Sequence, residues 1–434
     1  MANAFPLREN GSANADGFNV IAHLSASSGL GNTARLFIEV LRRNGVAVAG
    51  LDVDYTQQHE SDLLPAGIEI VKDPAALPYA NNLIIVSVLG LPNLWRKLPG
   101  LLNARFRNAA LIFWELPVMP NAWKPSLSVL DAILVCSPYV RHAVELAVPQ
   151  VPTLLLEHPL AEPERLNTAV LSDLGIEKTD FTCCASFDLR SDLARKNPQA
   201  TIKAFQRAFP DEQNVQLLIK TNARPTGAMR AQETEALSQQ IVNDKRITLV
   251  ASTLPYTDVL SLYASCDSYI SLHRSEGLGL GPMEAMLLGK PVVATGYSGN
   301  MGYMTQQNSV PVNYTLVEPI NCGWQFRRDF AGPGAAWAEA DTQQAAEALR
   351  KLKHDHVWRA ALGARARADI QERQKMAWSG DFIAPLCKLL DRHIKTEERS
   401  ALQRQVIRQE FLDPTLLSRN IGAAFNTLRA KFGH

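Results

Sequence analysis

The stretch that decides the fold is SLHRSEGLGLGPMEAMLLGKPVVATGYSGN, Ser271 to Asn300. SYISLH, which runs into it, reads as an apolar strand. PMEAMLLG reads as a helix with Pro282 in its first turn and Gly289 at its end, and PVVAT as the next strand. Glu276 then falls in the loop at the carboxyl edge of a sheet, and Glu284 in the first turn of the helix. The glycines between them let a ligand approach the main chain closely, and free N–H groups at a helix start favour oxygen-rich or anionic groups. A carboxylate that accepts from two neighbouring hydroxyls suits a sugar or a ribose. The competing reading makes Glu284 a favourable first-turn acid and Glu276 a solvated loop residue.

The same rhythm extends in both directions. FNVIAHLS, VAVAGLDVD, NNLIIVSVLG, AALIFWEL and AILVCSP read as strands, and NTARLFIEVLRRNG as an amphipathic helix. The polar stretch AEPERLNTAVLSDLGIEKTD, carrying Pro163, interrupts the alternation, which restarts at FTCCASFD and runs through VQLLIKT, ITLVAS and SYISLH. The expected fold class is α/β, with two doubly wound Rossmann-like domains facing a central cleft and helices at the carboxyl end. The expected boundaries are 1–160 for the first Rossmann-like domain, 161–178 for a linker, 179–378 for the second, and 379–434 for helices, the first crossing back to the amino-terminal domain.

Composition bounds the function. The chain has 434 residues, 46% hydrophobic and 20% charged, as expected for two globular domains. Lys and Arg number 44 against 43 Asp and Glu, so no overall field attracts nucleic acid. Cys136, Cys183, Cys184, Cys266, Cys322 and Cys387 form no C-x-x-C pair and read as reduced core thiols. The amino terminus lacks an apolar signal segment, and NLIIVSVLGLPNLW is too short and broken by Pro92 to span a bilayer. A cytoplasmic protein is expected; the basic tail ALQRQVIRQEFLDPTLLSRNIGAAFNTLRAKFGH reads as a docked helix, with peripheral membrane contact or a partner helix as the alternative. G-x-S-x-G, H-E-x-x-H and clustered Cys and His are all missing, which argues against serine hydrolysis and zinc chemistry.

Further residues are candidates by position. Gly29 and Gly31 lie between the first strand and first helix, where position 34 is alanine and the dinucleotide pattern G-x-G-x-x-G fails in its last glycine. Lys220 closes a strand and is a candidate phosphate contact. Glu115 and His23 end strands on the same edge and are candidates for the acceptor side. Asp52 and Asp54 read as a ribbon end rather than as a metal-binding D-x-D.

The E-x7-E string SEGLGLGPMEAMLLGKPVVAT resembles the family 4 glycosyltransferases, retaining enzymes of the GT-B fold that use nucleotide-sugar donors. The longer string YISLHRSEGLGLGPMEAMLLGKPVVATGYSGNM is similar to bacterial mannosyltransferase-like members that build surface polysaccharides. The resemblance is dense over residues 180–345 and implies that Glu276 lies by the donor sugar and Glu284 on the nucleotide ribose. It implies that Arg190 and Lys196, in ASFDLRSDLARKNPQATIKAF, stabilise the leaving diphosphate, with Arg195 competing for the first role. It also implies that Gly277, Leu278, Gly279 and Leu280 present amides to the sugar, that Ser298 and Asn300 approach the donor, and that the Gly29 loop meets the diphosphate. The expected reaction is transfer of a hexose, mannose from GDP-mannose, to a glycan or polyprenyl-linked acceptor, with no metal or other cofactor. The alternatives are a UDP-sugar-dependent transferase for glucose or N-acetylglucosamine, a nucleotide-sugar 2-epimerase, and a non-catalytic binder of sugar nucleotides.

Overall fold

The computed structural model describes residues 14–53, 63–163, 165–189, 191–221, 235 and 237–391. Its first sheet holds β1 (Asn14–Ala22), β2 (Ala47–Asp52), β3 (Glu69–Val71), β4 (Tyr79–Ile85), β5 (Arg107–Leu111), β6 (Ala132–Val135) and β7 (Thr153–Leu155). These strands pair in parallel in the order β3-β2-β1-β4-β5-β6-β7. The second sheet holds β8 (Phe181–Phe187), β9 (Val215–Thr221), β10 (Ile247–Ala251), β11 (Ser268–Ser271), β12 (Val292–Thr295) and β13 (Val310–Val312), again parallel, in the order β10-β9-β8-β11-β12-β13. Strand order therefore reverses between β1 and β4 and again between β8 and β11. In such sheets ligands bind outside the carboxyl ends of the strands at that reversal.

Local chemistry explains the elements. Ser28 caps the helix Gly29–Arg43 by accepting from the Gly31 N–H at 3.2 Å. Ala34, Phe37, Ile38 and Leu41 recur at helical spacing and are buried on the sheet, each large side chain contributing roughly 1.5–3 kcal/mol. In the first sheet the register is pinned by a buried amide ladder: Asn19 donates to Asn82 at 2.8 Å, and Asn82 to Asn108 at 2.8 Å. Asp52 accepts the Leu24 N–H at 2.7 Å, so it is a turn-fixing residue, while Asp54 lies outside the described residues. All six cysteines are free thiols.

Two features depart from the sequence reading. The helix after the glycine loop spans Leu280–Leu287, so it starts before Pro282 and places Glu284 in its second turn. Gly279 is its N-cap at φ +87°, a left-handed conformation, and this sets the start. Pro282 is tolerated because the first four helical N–H groups have no intrahelical partner. The second departure is a strap. β14 (Tyr314–Val317) and β15 (Trp337–Ala340) form an antiparallel ribbon, and the chain between them packs Phe326 and Ala331 into the core of the first domain beside Trp114 and Trp123.

The helix His356–Ser379 starts on the second domain and ends on the first. Gln374 accepts the Leu160 N–H at 2.7 Å and donates to the His158 carbonyl at 3.0 Å, while Arg373 meets Glu157 at 2.6 Å. The helix Ile383–Leu390 then packs on β5 and β6. The basic tail lies outside the described residues. Among the described residues no helix is long and apolar enough to cross a membrane. Gln374→Ala strands two buried backbone groups and is expected to cost about 2–4 kcal/mol, read as a lower urea midpoint; an unchanged midpoint contradicts the seam.

Candidate functional site

A cleft of about 2030 Å³ opens between the domains at the two strand reversals. It is lined from the first domain by Ser28, Gly29, Leu89 and Glu115, and from the second by Lys196, Lys220, Glu276, Leu278 and Glu284. Sites for single small ligands run to roughly 300–1,000 Å³, so this cleft has room for more than one substrate.

Its floor is built from the loop after β8. Asp192 accepts the Arg195 N–H at 2.9 Å and starts the one-turn helix Leu193–Lys196. Asn197 ends it in the left-handed region at φ 51°, and Pro198 opens the next helix. The break leaves Arg195 and Lys196 side by side at the sheet edge. Lys196 Nζ lies 2.6 Å from Glu276 Oε1, and Arg195 Nη1 lies 3.2 Å from Glu276 Oε2. Burial pushes the Glu276 carboxyl up, but Lys196 and Arg195 outweigh it and hold the group at about 2. His273 stands behind it, and burial lowers its pKa to about 4, so the ring is neutral.

The backbone of residue 276 is fixed as firmly as its side chain. The Glu276 N–H donates to Ser298 Oγ at 2.8 Å, and its carbonyl accepts the Gly299 N–H at 2.9 Å. Ser298 and Asn300 therefore stand behind Glu276 and are not among the residues lining the cleft. Asn300 donates to the Thr295 carbonyl at 2.9 Å. Gly277 meets the other domain: a Cβ there would lie 3.1 Å from the Trp114 nitrogen, and its carbonyl accepts from Ser137 Oγ at 2.6 Å. Tyr303 donates to the Gly279 carbonyl at 2.6 Å and holds the turn before the helix.

Glu284 lines the cleft under different electrostatics. Burial pushes its carboxyl up to about 7, although the Tyr256 hydroxyl donates to it at 2.6 Å and acts in the opposite direction. Lys220 Nζ donates to the Thr221 carbonyl at 2.7 Å and the Ser252 carbonyl at 2.9 Å, and burial lowers its pKa. Gly29 and Leu30 bring the start of a helix to the cleft wall. Gly31 is not part of the wall; a Cβ there would lie 2.3 Å from the Ala26 carbonyl oxygen, so the residue serves its own tight turn. His23 likewise lies off the wall, its carbonyl accepting from the Ala26 N–H. Glu115 sits past the end of β5 with Oε1 3.4 Å from Arg195 Nη2. Arg190 lies outside the described residues. Among the described residues no three His, Cys, Asp or Glu side chains group as a metal site.

Sequence reasoning did not find Tyr256, His273 or the strap, whose Cys322, Trp324 and Arg327 line the cleft. The aromatic spacing of GWQFRRDF was the available signal for the strap, but it fits neither helix nor strand period.

Residues 189–320 match the family model of the glycosyl transferases group 1. No curated protein sequence matches the chain. The fold is similar to that of the Anabaena protein HepE, solved in complex with UDP and glucose, at TM-score 0.60 and 15% identity over 86% of this chain and 99% of that one. It is similar to sucrose-phosphate synthase from Thermosynechococcus elongatus at TM-score 0.58 and 16% identity, over 87% and 98% of the chains. The amino-terminal domain of Candida albicans trehalose-6-phosphate phosphatase gives 0.61 at 10% identity, over 90% and 99%. The chain has the GT-B fold, two Rossmann-like domains about a cleft, and the residues that match the glycosyl transferases group 1 model, 189–320, lie in the second of them.

Proposed function

We propose that the chain is a retaining glycosyltransferase that moves a hexose, mannose from GDP-mannose, to a glycan or polyprenyl-linked acceptor in surface-polysaccharide synthesis. The observation that carries this reading is the pair of half-buried Lys196 with buried Glu276 at the strand reversal of the second domain, facing the first domain across the cleft. The sugar and its base are taken from the resemblance of the glycine-loop string, and HepE, solved with UDP and glucose, makes UDP-glucose the second donor to test.

In this reading Glu284 clasps the ribose hydroxyls and the amides of Gly277 to Leu280 face the sugar. Glu276, already ionised, accepts from sugar hydroxyls. Lys196, with Arg190, moves onto the diphosphate as its charge develops. The anomeric C–O bond to the diphosphate breaks while the acceptor oxygen bonds the same face, and the acceptor proton passes to the departing phosphate oxygen. The cations supply the stabilisation, and no metal is required of the proposal. Closure of the domains excludes water, the competing acceptor. The proposed setting is the cytoplasm, with the basic tail at the membrane face.

Thermal shift with GDP-mannose, UDP-glucose and UDP-N-acetylglucosamine tests the donor: at about 100 times Kd a true donor adds about 2.7 kcal/mol. Stabilisation by none of them, nor by the free nucleoside diphosphates, contradicts the reading. Lys196→Ala is expected to slow transfer by about 10²–10³-fold with nucleotide binding largely retained; wild-type turnover contradicts the role. Glu284 at about 7 must release its proton to clasp the ribose as a carboxylate. Donor affinity is therefore expected to rise with pH through about 7 and level off above it, and Glu284→Gln to remove that slope; an equal slope in the variant contradicts the assignment.

A further inference from the structure

Arg195 is a side chain of the second domain, 5% exposed, that meets carboxylates from both domains. Its Nη1 donates to the Ser275 carbonyl at 2.9 Å and to Glu276 at 3.2 Å, while Nη2 faces Glu115 of the first domain at 3.4 Å. The planar fork of a guanidinium can hold two acids in fixed directions at once, which a lysine ammonium cannot. The strap closes over it: the Phe326 ring centre lies 5.9 Å from the guanidinium carbon. Asp192 accepts both the Arg195 N–H at 2.9 Å and the Gly323 N–H at 2.5 Å, so the helix and the strap share one anchor.

We propose that Arg195 is a positioning residue that couples Glu115, on the acceptor side of the cleft, to Glu276, on the donor-sugar side. This rests on the transferase reading and assigns one task within it. Lys196 has two demands on it, Glu276 as in this structure and the diphosphate during transfer. When Lys196 moves to the diphosphate, Arg195 is the cation that stays, and without it Glu276 would be a buried acid with no counter-ion. Because the same guanidinium holds Glu115, the acceptor-side acid is set relative to the sugar through a single rigid group. A displacement of about 1 Å between reacting centres is enough to cost large factors in rate.

The charged and titratable groups that face Glu276 are Lys196 and Arg195 from the helix after β8 and His273 from its own loop, with the Tyr269 and Tyr303 hydroxyls nearby. Glu115, Glu276 and Asp192 face Arg195. Loss of Arg195 therefore removes a cation from Glu276 and lets its carboxyl titrate higher.

The test is a mutant cycle of Arg195→Met, Glu115→Gln and the double variant on the full chain, with Arg195→Lys as the charge-retaining control. Three quantities are read: transfer kcat and acceptor KM, the Kd for the free nucleoside diphosphate, and the pH profile of kcat. Arg195→Met is expected to lower kcat about 100-fold with Kd for the diphosphate within about threefold, and to move the acid limb of the profile upward. Glu115→Gln, which removes a charge without changing shape, is expected to raise acceptor KM about tenfold, and the double variant to be no worse than Arg195→Met alone. Arg195→Lys is expected to keep the wild-type acid limb but not the wild-type kcat. Additive effects in the cycle, or an unmoved acid limb, overturn the bridge while transfer by the wild-type chain upholds the function. A wild-type chain that binds no nucleotide sugar overturns both. If Arg195→Met does not fold, Glu115→Gln decides: an unchanged acceptor KM overturns the coupling.

Discussion

The site depends on one costly arrangement, a carboxylate buried at the seam of two domains. Burial alone favours the protonated acid, and Glu276 stays ionised because Lys196 and Arg195 lie against its two oxygens. Each neighbouring device keeps that geometry from relaxing. Asp192 starts the turn that carries both cations, the Asn197 left-handed cap ends it, and Ser298 and Gly299 hold the backbone of the acid itself. The acid and its backbone are thus set before any ligand arrives, so that only the Lys196 ammonium has to shift when a diphosphate enters, and preorganised charge of this kind lowers barriers.

The second constraint is how the two domains are joined. The helix His356–Ser379 leaves one domain and bonds to the chain at Glu157 to Leu160 in the other, while the strap between β14 and β15 places aromatic rings in the first domain's core. Near the site the domains touch through the backbone of Gly277, whose carbonyl accepts from Ser137 Oγ and whose Cα lies so close to Trp114 that an added Cβ would crowd the Trp114 backbone nitrogen at 3.1 Å. Of the acids that line the cleft, Glu276 and Glu284 titrate far apart because only Glu276 has cations beside it: Glu276 is held at about 2 and Glu284 raised to about 7.

Much of this was legible in the chain. The alternation of short apolar runs with amphipathic helices fixes two parallel, doubly wound sheets, because a strand buried on both faces needs continuous apolar residues and a crossover helix needs its own period. The position of Glu276 in a loop at the sheet edge also follows from local pattern. Other features were hidden for identifiable reasons. The start of the helix at Leu280 depends on Gly279 taking a left-handed conformation, which competes with the stronger signal of Pro282. The strap has no period because Phe326 and Ala331, which it buries, pack on the other domain rather than on a regular element of their own. Arg195 reads as one basic residue in a basic run, since its two carboxylate partners are far off in sequence, Glu115 80 residues before it and Glu276 81 after it. Gly31 reads as a phosphate loop glycine, whereas its missing side chain makes room for the carbonyls of His23 and Ala26.

The central claim is that the Glu276–Lys196 pair opens to receive a diphosphate while Glu284 takes the ribose. A crystal structure of the chain soaked with the nucleoside diphosphate that stabilises it most tests this directly. The expected result is nucleotide in the interdomain cleft, with Lys196 Nζ on a phosphate oxygen, both ribose hydroxyls on Glu284, and Glu276 still against Arg195. A nucleotide bound elsewhere, or one in the cleft with its ribose turned away from Glu284 and Lys196 still paired with Glu276, contradicts the claim.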